Sequence, residues 1–139
     1  MIKYLLLLLL FPFQLNCSAQ NEYILIGSGG GFTGTTINYK ILLNGTVLKG
    51  TGIADVKYEN QSHIRKCEAR KLFKKMKKII SQSFNHPGNM YYFIYYIKPE
   101  AEFKCTWGET KFEVSEDIKK VYQETLQKLS KLEYNPIGK

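Results

Sequence analysis

The sequence is poor in the residues from which catalytic and metal sites are usually built. It has two histidines, three cysteines, one tryptophan and four prolines in 139 residues. Three cysteines exclude a cysteine-dense disulfide scaffold. Acidic side chains are also scarce, 12 against 20 lysines and arginines, for a formal net charge of +8. The length accommodates one domain and excludes a large enzyme. There is one long apolar run, at the start, which excludes a multi-pass membrane protein. Aromatic residues, by contrast, are plentiful at 14%, with ten tyrosines, and apolar residues reach 44%. A disordered segment does not have that composition.

The first segment reads as an address. Lys3 precedes the unbroken run Leu5 to Leu10, which Phe11, Pro12 and Phe13 extend. Small and polar residues come next, through Cys17, Ser18, Ala19 and Gln20. A basic start, a short apolar core and a small residue before a polar stretch predict a secretory signal peptide over residues 1–19. The run is shorter than the roughly 20 residues needed to span a bilayer. A second route would make Cys17 a lipidated first residue. Gln14 and Asn16 stand where a lipoprotein signal carries a leucine and a small residue. Soluble export to the periplasm or the extracellular space is therefore the favoured expectation, with lipid anchoring at Cys17 as the alternative.

Residues 20–139 then form a single small domain of 120 residues, and losing Lys3 lowers its net charge to +7. Its two cysteines, Cys67 and Cys105, are compatible with a bridge in an oxidising compartment. Two buried thiols are equally compatible.

Tyr23 to Ile26 is a short β-rich run that stops at Gly27-Ser28-Gly29-Gly30-Gly31. Thr35 to Leu43 resumes β character, with Ile37, Tyr39 and Ile41 alternating against Asn38 and Lys40. Asn44-Gly45 signals a hairpin, and Thr46 to Lys49 reads as its return strand. Gly50 to Asn60 reads as a loop or a further edge strand. From His63 to Phe84 the period is helical, with Ser62 as N-cap and Asn85-His86-Pro87-Gly88-Asn89 as the stop. Met90 to Ile97 is a strong strand signal. Lys98-Pro99-Glu100 turns it into a second strand through Trp107, with Phe103, Cys105 and Trp107 on one face. Lys111 to Val114 reads as a short strand. Ser115 caps a last helix, with Glu116 and Asp117 in its first turn and Ile118, Val121, Tyr122, Leu126, Leu129 and Leu132 as its buried stripe. The expected fold is α+β: a two-layer, antiparallel sheet packed with two helices, in the order β-β(-β)-α-β-β(-β)-α.

Catalysis finds little support. His63 and His86 sit at predicted element ends. Neither Ser28 nor Cys67 has a base and an orienting partner suggested by the pattern. Glu100, Glu102, Glu109 and Glu113 are scattered around strands and turns. No catalytic residue, metal or cofactor is expected, and the chain reads as non-enzymatic.

Two binding features stand out. The first is the segment Gly30, Gly31, Phe32, Thr33 and Gly34. No Lys-Ser or Lys-Thr comes after its last glycine, as a phosphate-binding loop requires. The residues from Thr35 onward read as a strand, whereas a dinucleotide fingerprint opens a helix. The segment reads either as a glycine-rich hairpin or bulge, or as a recognition loop with Phe32 as its apolar contact. The second feature is the predicted helix. Arg65, Lys66, Arg70, Lys71, Lys74, Lys75, Lys77 and Lys78 face Glu68 alone in that stretch. Such a face either keeps the protein soluble or attracts an anionic partner, here an anionic envelope surface. Nucleic acid is disfavoured by export. The tyrosine-rich strand offers a third surface, although a central strand covered on both sides accounts for it equally.

The stretch Gly30-Gly31-Phe32-Thr33-Gly34, between a first and a second strand, resembles the Gly-Gly-Phe-x-Gly opening of the emfourin-like family of small protein inhibitors of thermolysin-type metalloproteases. The later order is similar: a middle helix, an aromatic strand after a proline turn, another strand and a final leucine-rich helix. The resemblance covers about Tyr23 to Leu132. Pro87-Gly88, Trp107 and the expected export depart from the family pattern. The resemblance implies a non-catalytic protein-binding module whose partner is a peptidase, with contacts carried over only onto the glycine-phenylalanine segment.

Overall fold

A computed structural model describes residues 22–138. The expected signal peptide and Cys17 lie outside the described residues. The fold is mixed α+β, with an eight-stranded sheet and two helices. In chain order the elements are β1 (Tyr23–Gly30), β2 (Thr36–Leu42), β3 (Thr46–Gly52), β4 (Lys57–His63), α1 (Lys66–Ile79), β5 (Phe84–His86), β6 (Met90–Lys98), β7 (Ala101–Trp107), α2 (Glu116–Leu129) and β8 (Asn135–Pro136). The sheet order is β5-β7-β6-β1-β2-β3-β4-β8. Every pairing is antiparallel except β5 with β7, which is parallel.

Two rows of side chains across the sheet form the centre of the core. One runs Tyr96, Ile24, Ile41, Val47, and the next runs Cys105, Ile94, Ile26, Tyr39. All eight belong to one buried cluster with Ala69, Phe73 and Met76 of α1 and Ile118, Val121, Tyr122 and Leu129 of α2. Ile24, Ile26, Ile41 and Ile94 are wholly buried. Each such side chain contributes about 2 kcal/mol relative to an exposed one.

The sheet is larger than expected because several segments find partners that local pattern does not announce. The first strand continues through the glycines to Gly30, pairing with β2 on one side and β6 on the other. Gly27 has a steric reason to be glycine. A Cβ there would lie 2.2 Å from the Ile37 carbonyl oxygen and 2.8 Å from Asn38 Cα, both backbone atoms of β2. On the face of the sheet opposite the core, Phe93, Gly27, Asn38 and Gly50 share a row. Phe93 and Asn38 are buried there.

The remaining corrections concern boundaries. Ser62 does not cap α1, because Lys57–His63 pairs with β3 and the Ile64 N–H donates to the Gly45 carbonyl at 2.9 Å. The helix starts three residues later than expected, with Arg65 at its N-cap and no side-chain cap bond. It ends at Ile79, and Phe84–His86 turns away as an edge strand. Lys111 to Val114 forms no strand. The second helix starts as expected, with Ser115 Oγ accepting from the Ile118 N–H and Glu116 and Asp117 in the first turn, but it ends at Leu129, and Leu132 packs against the core from beyond it. No helix among the described residues is long and apolar enough to cross a membrane.

Candidate recognition surface

Strands β1, β3 and β7 end at the same edge of the sheet, where β2, β4 and β6 begin. The β1–β2 connection there is a hydrogen-bonded turn. The Gly34 N–H donates to the Gly31 carbonyl at 3.2 Å. The Gly31 N–H donates to the Asn89 carbonyl at 2.8 Å, tying the turn to the start of β6. The Thr35 hydroxyl donates to Thr33 Oγ1 at 3.0 Å. Gly31 and Gly34 have φ of +74° and +63°, a region that L side chains rarely adopt. Two of the turn's glycines thus make its shape possible, and Phe32 stands at its apex, uncovered among the described residues. Its relative exposure is 108%.

Other apolar side chains gather around it. Ile53, 73% exposed, sits in the β3–β4 connection, with Cγ2 lying 3.9 Å from where a Cβ on Gly34 would be. Met90 Sδ is 2.9 Å from the corresponding point on Gly31. Ile37 and Tyr92 flank Ser28 in one row across β2, β1 and β6. Among the described residues six large apolar side chains are exposed, and all but Ile137 lie at this end of the sheet. Sequence reading singled out Phe32 and missed Ile53 and Met90. Their only sequence signal is position: each directly adjoins a turn segment between strands.

The eight cations, Arg65 at the N-cap of α1 and seven within it, are all exposed. Arg65 pairs with Glu68 at 2.9 Å and Lys75 with Glu124 at 3.0 Å. The other six form no ion pair among the described residues. Glu68 also receives Lys128 at 2.9 Å. Hydrogen bonds from Lys128 and then Arg65 hold its carboxyl down at about 2.

The candidate groups for chemistry are kept apart. His63 closes β4 and His86 closes β5, with five strands between them in the sheet. His86 Nδ1 lies 3.4 Å from Glu109 and its ring stacks on Phe112 at 3.9 Å. The disulfide that the sequence left open is not formed. Cys67 and Cys105 are both free thiols, the first exposed and the second in the core. Burial pushes the Cys105 thiol up to about 11. Tyr122 spans the core, donating its buried hydroxyl to the Gly27 carbonyl at 3.0 Å. Among the described residues no three His, Cys, Asp or Glu side chains cluster as metal ligands would.

The tyrosine strand β6 is central, as the sheet order places it between β7 and β1. Tyr96 is buried in the core, while Tyr91 bonds Thr36 and Tyr95 bonds Thr106 on the opposite face. No protein-family model matches this sequence, and no curated relative matches it.

Proposed function

We propose that the protein is a non-catalytic exported module that binds a protein partner through the Gly30–Gly34 turn, and that the partner is a peptidase. One observation carries this reading: the most exposed large apolar side chain among the described residues, Phe32, is held at the apex of a hydrogen-bonded turn. An apolar residue in that position gives nothing to the fold. A rigid turn also loses little freedom when it docks, which preserves affinity. Ile53 and Met90 widen the apolar patch around it. Buried aromatic anchors of this kind dominate protein interfaces.

The peptidase class rests on the resemblance of Gly30-Gly31-Phe32-Thr33-Gly34 to the emfourin-like opening. In the same reading the two helices form one layer against the face that carries Ile24, Ile26 and Ile41. The loop end of the sheet is then left open for the partner. Export, by the signal peptide expected at residues 1–19, puts the module where secreted peptidases act.

Titration of a thermolysin-type metallopeptidase with residues 20–139 tests the proposal. The expected result is saturable inhibition, weakened at least about 30-fold in Phe32→Ala, as for an interface anchor worth about 2 kcal/mol. Absence of inhibition overturns the peptidase assignment. Inhibition unaffected by Phe32→Ala overturns the site.

A further inference from the structure

The outer face of α1 carries a second feature that the turn does not explain. Lys66, Arg70, Lys74 and Lys78 succeed one another at intervals of four residues. That interval places them on one ridge, each about 6 Å further along the axis and about 18 Å from first to last. All four are exposed and none forms an ion pair among the described residues. Like charges four apart repel. Lys66 also stands in the first turn, where the helix dipole favours an anion. The dipole favours only Lys78, in the last turn, so the helix keeps this line of cations against their mutual repulsion and, at Lys66, against the dipole as well. A ridge of that kind is relieved by a counter-charge supplied from outside.

The surroundings narrow the choice of counter-charge. The apolar side of α1, Ala69, Phe73 and Met76, is buried in the core. No large apolar side chain of α1 is exposed. An interfacial helix needs such a face free to enter lipid. Grooves for single-stranded nucleic acid pair their charge with exposed aromatic rings for stacking, and this ridge exposes none. The neighbouring α2 carries Glu116, Asp117 and Glu124 beside its lysines, so on that side the positive surface stops at α1. A narrow line of charge matches a chain better than a plane. We infer that this ridge is a second binding site, for a linear anionic polysaccharide lying along α1.

Size-defined heparin fragments are suitable probes, with anionic phosphatidylglycerol vesicles and a short DNA duplex as competitors of other classes. Affinity for residues 20–139 should rise with fragment length until the fragment spans the ridge, and should fall steeply with salt. Lys66→Gln/Arg70→Gln/Lys74→Gln/Lys78→Gln should weaken binding about 30-fold, each contact contributing a factor of about two to three. A control with the same net charge, Lys57→Gln/Lys111→Gln/Lys120→Gln/Lys131→Gln, should change it less than about threefold, by the same reckoning for charges away from the site. Thermal melting checks that both variants fold. Equal weakening in the two variants, no binding at low salt, or tighter binding to vesicles or duplex overturns the assignment.

Discussion

Replacing Gly27 by alanine should separate two roles that the glycine run combines. In β1 a Cβ at position 27 would sit 2.2 Å from the Ile37 carbonyl oxygen and 2.8 Å from Asn38 Cα. Both are backbone atoms of the adjacent strand, so no side-chain rotation can relieve the clash. Strand β1 is hydrogen-bonded on both sides, which limits its retreat. The loss should reach the upper end of overpacking effects, about 3 kcal/mol. For a domain of this size that is a fall of about 12 °C in Tm. Gly34→Ala is different in kind. Its nearest neighbour would be Ile53 Cγ2 at 3.9 Å, so space is ample and only the φ of +63° is strained. That strain amounts to about 1 kcal/mol, or about 4 °C, and Gly34→Asn should recover part of it. Urea unfolding of the three variants, with unchanged m-values, measures the ranking. If Gly27→Ala loses less than Gly34→Ala, the close approach of β1 and β2 is wrong.

Other parts of the structure give sharper, smaller effects. Tyr122→Phe removes the buried hydrogen bond to the Gly27 carbonyl while keeping the ring against Trp107, so it should lower stability by about 1 kcal/mol in thermal melts. An unchanged melt would deny the bond. Glu68 is held at about 2 against an ordinary 4.5, so its stabilising contribution is complete above pH 4.5 and is lost as pH falls towards 2. The stability gap between the parent and Glu68→Gln should therefore close over that range, and a gap independent of pH would contradict the clamp. In a Cys17→Ser background, a thiol reagent should label Cys67 in the native protein and Cys105 only on unfolding. Fast labelling of both, or of neither, would contradict the positions given to them.

Where periodicity was strong, local pattern anticipated the fold. Met90 to Ile97 reports its own structure because every residue after Met90 is aromatic or β-branched, and the stripe from Ile118 to Leu129 does so because its apolar side chains recur at the helical period. The hairpin at Asn44-Gly45 is equally direct, since φ at Gly45 is +99°. Segments whose state depends on a distant partner were not legible. Gly27 to Gly30 lacks side chains that favour a strand, yet all four residues pair with β6, and Gly27 and Ser28 pair with β2 as well. Lys57–His63 is polar, and its pairing with β3, joined at Asn60 and Gln61 by β8, carries the strand on to His63, where local pattern starts a helix. Phe84–His86 exists through three parallel pairings with β7. The same limit applies to the site. Phe32 was legible because glycines surround it in sequence. Ile53 and Met90 join it only because their strands end at the same edge of the sheet.

The central claim is that Phe32 faces a protein partner. Placing a photo-cross-linking phenylalanine analogue at position 32, in cells that produce the protein, tests it most directly. The same analogue at Ile53 and at Ile137 provides a near and a distant comparison, since Ile137 is the one exposed large apolar side chain away from the turn among the described residues. The account predicts a discrete protein adduct from position 32, a weaker one of the same size from position 53, and none from position 137. No adduct at position 32, or the same adducts from position 137, would contradict it.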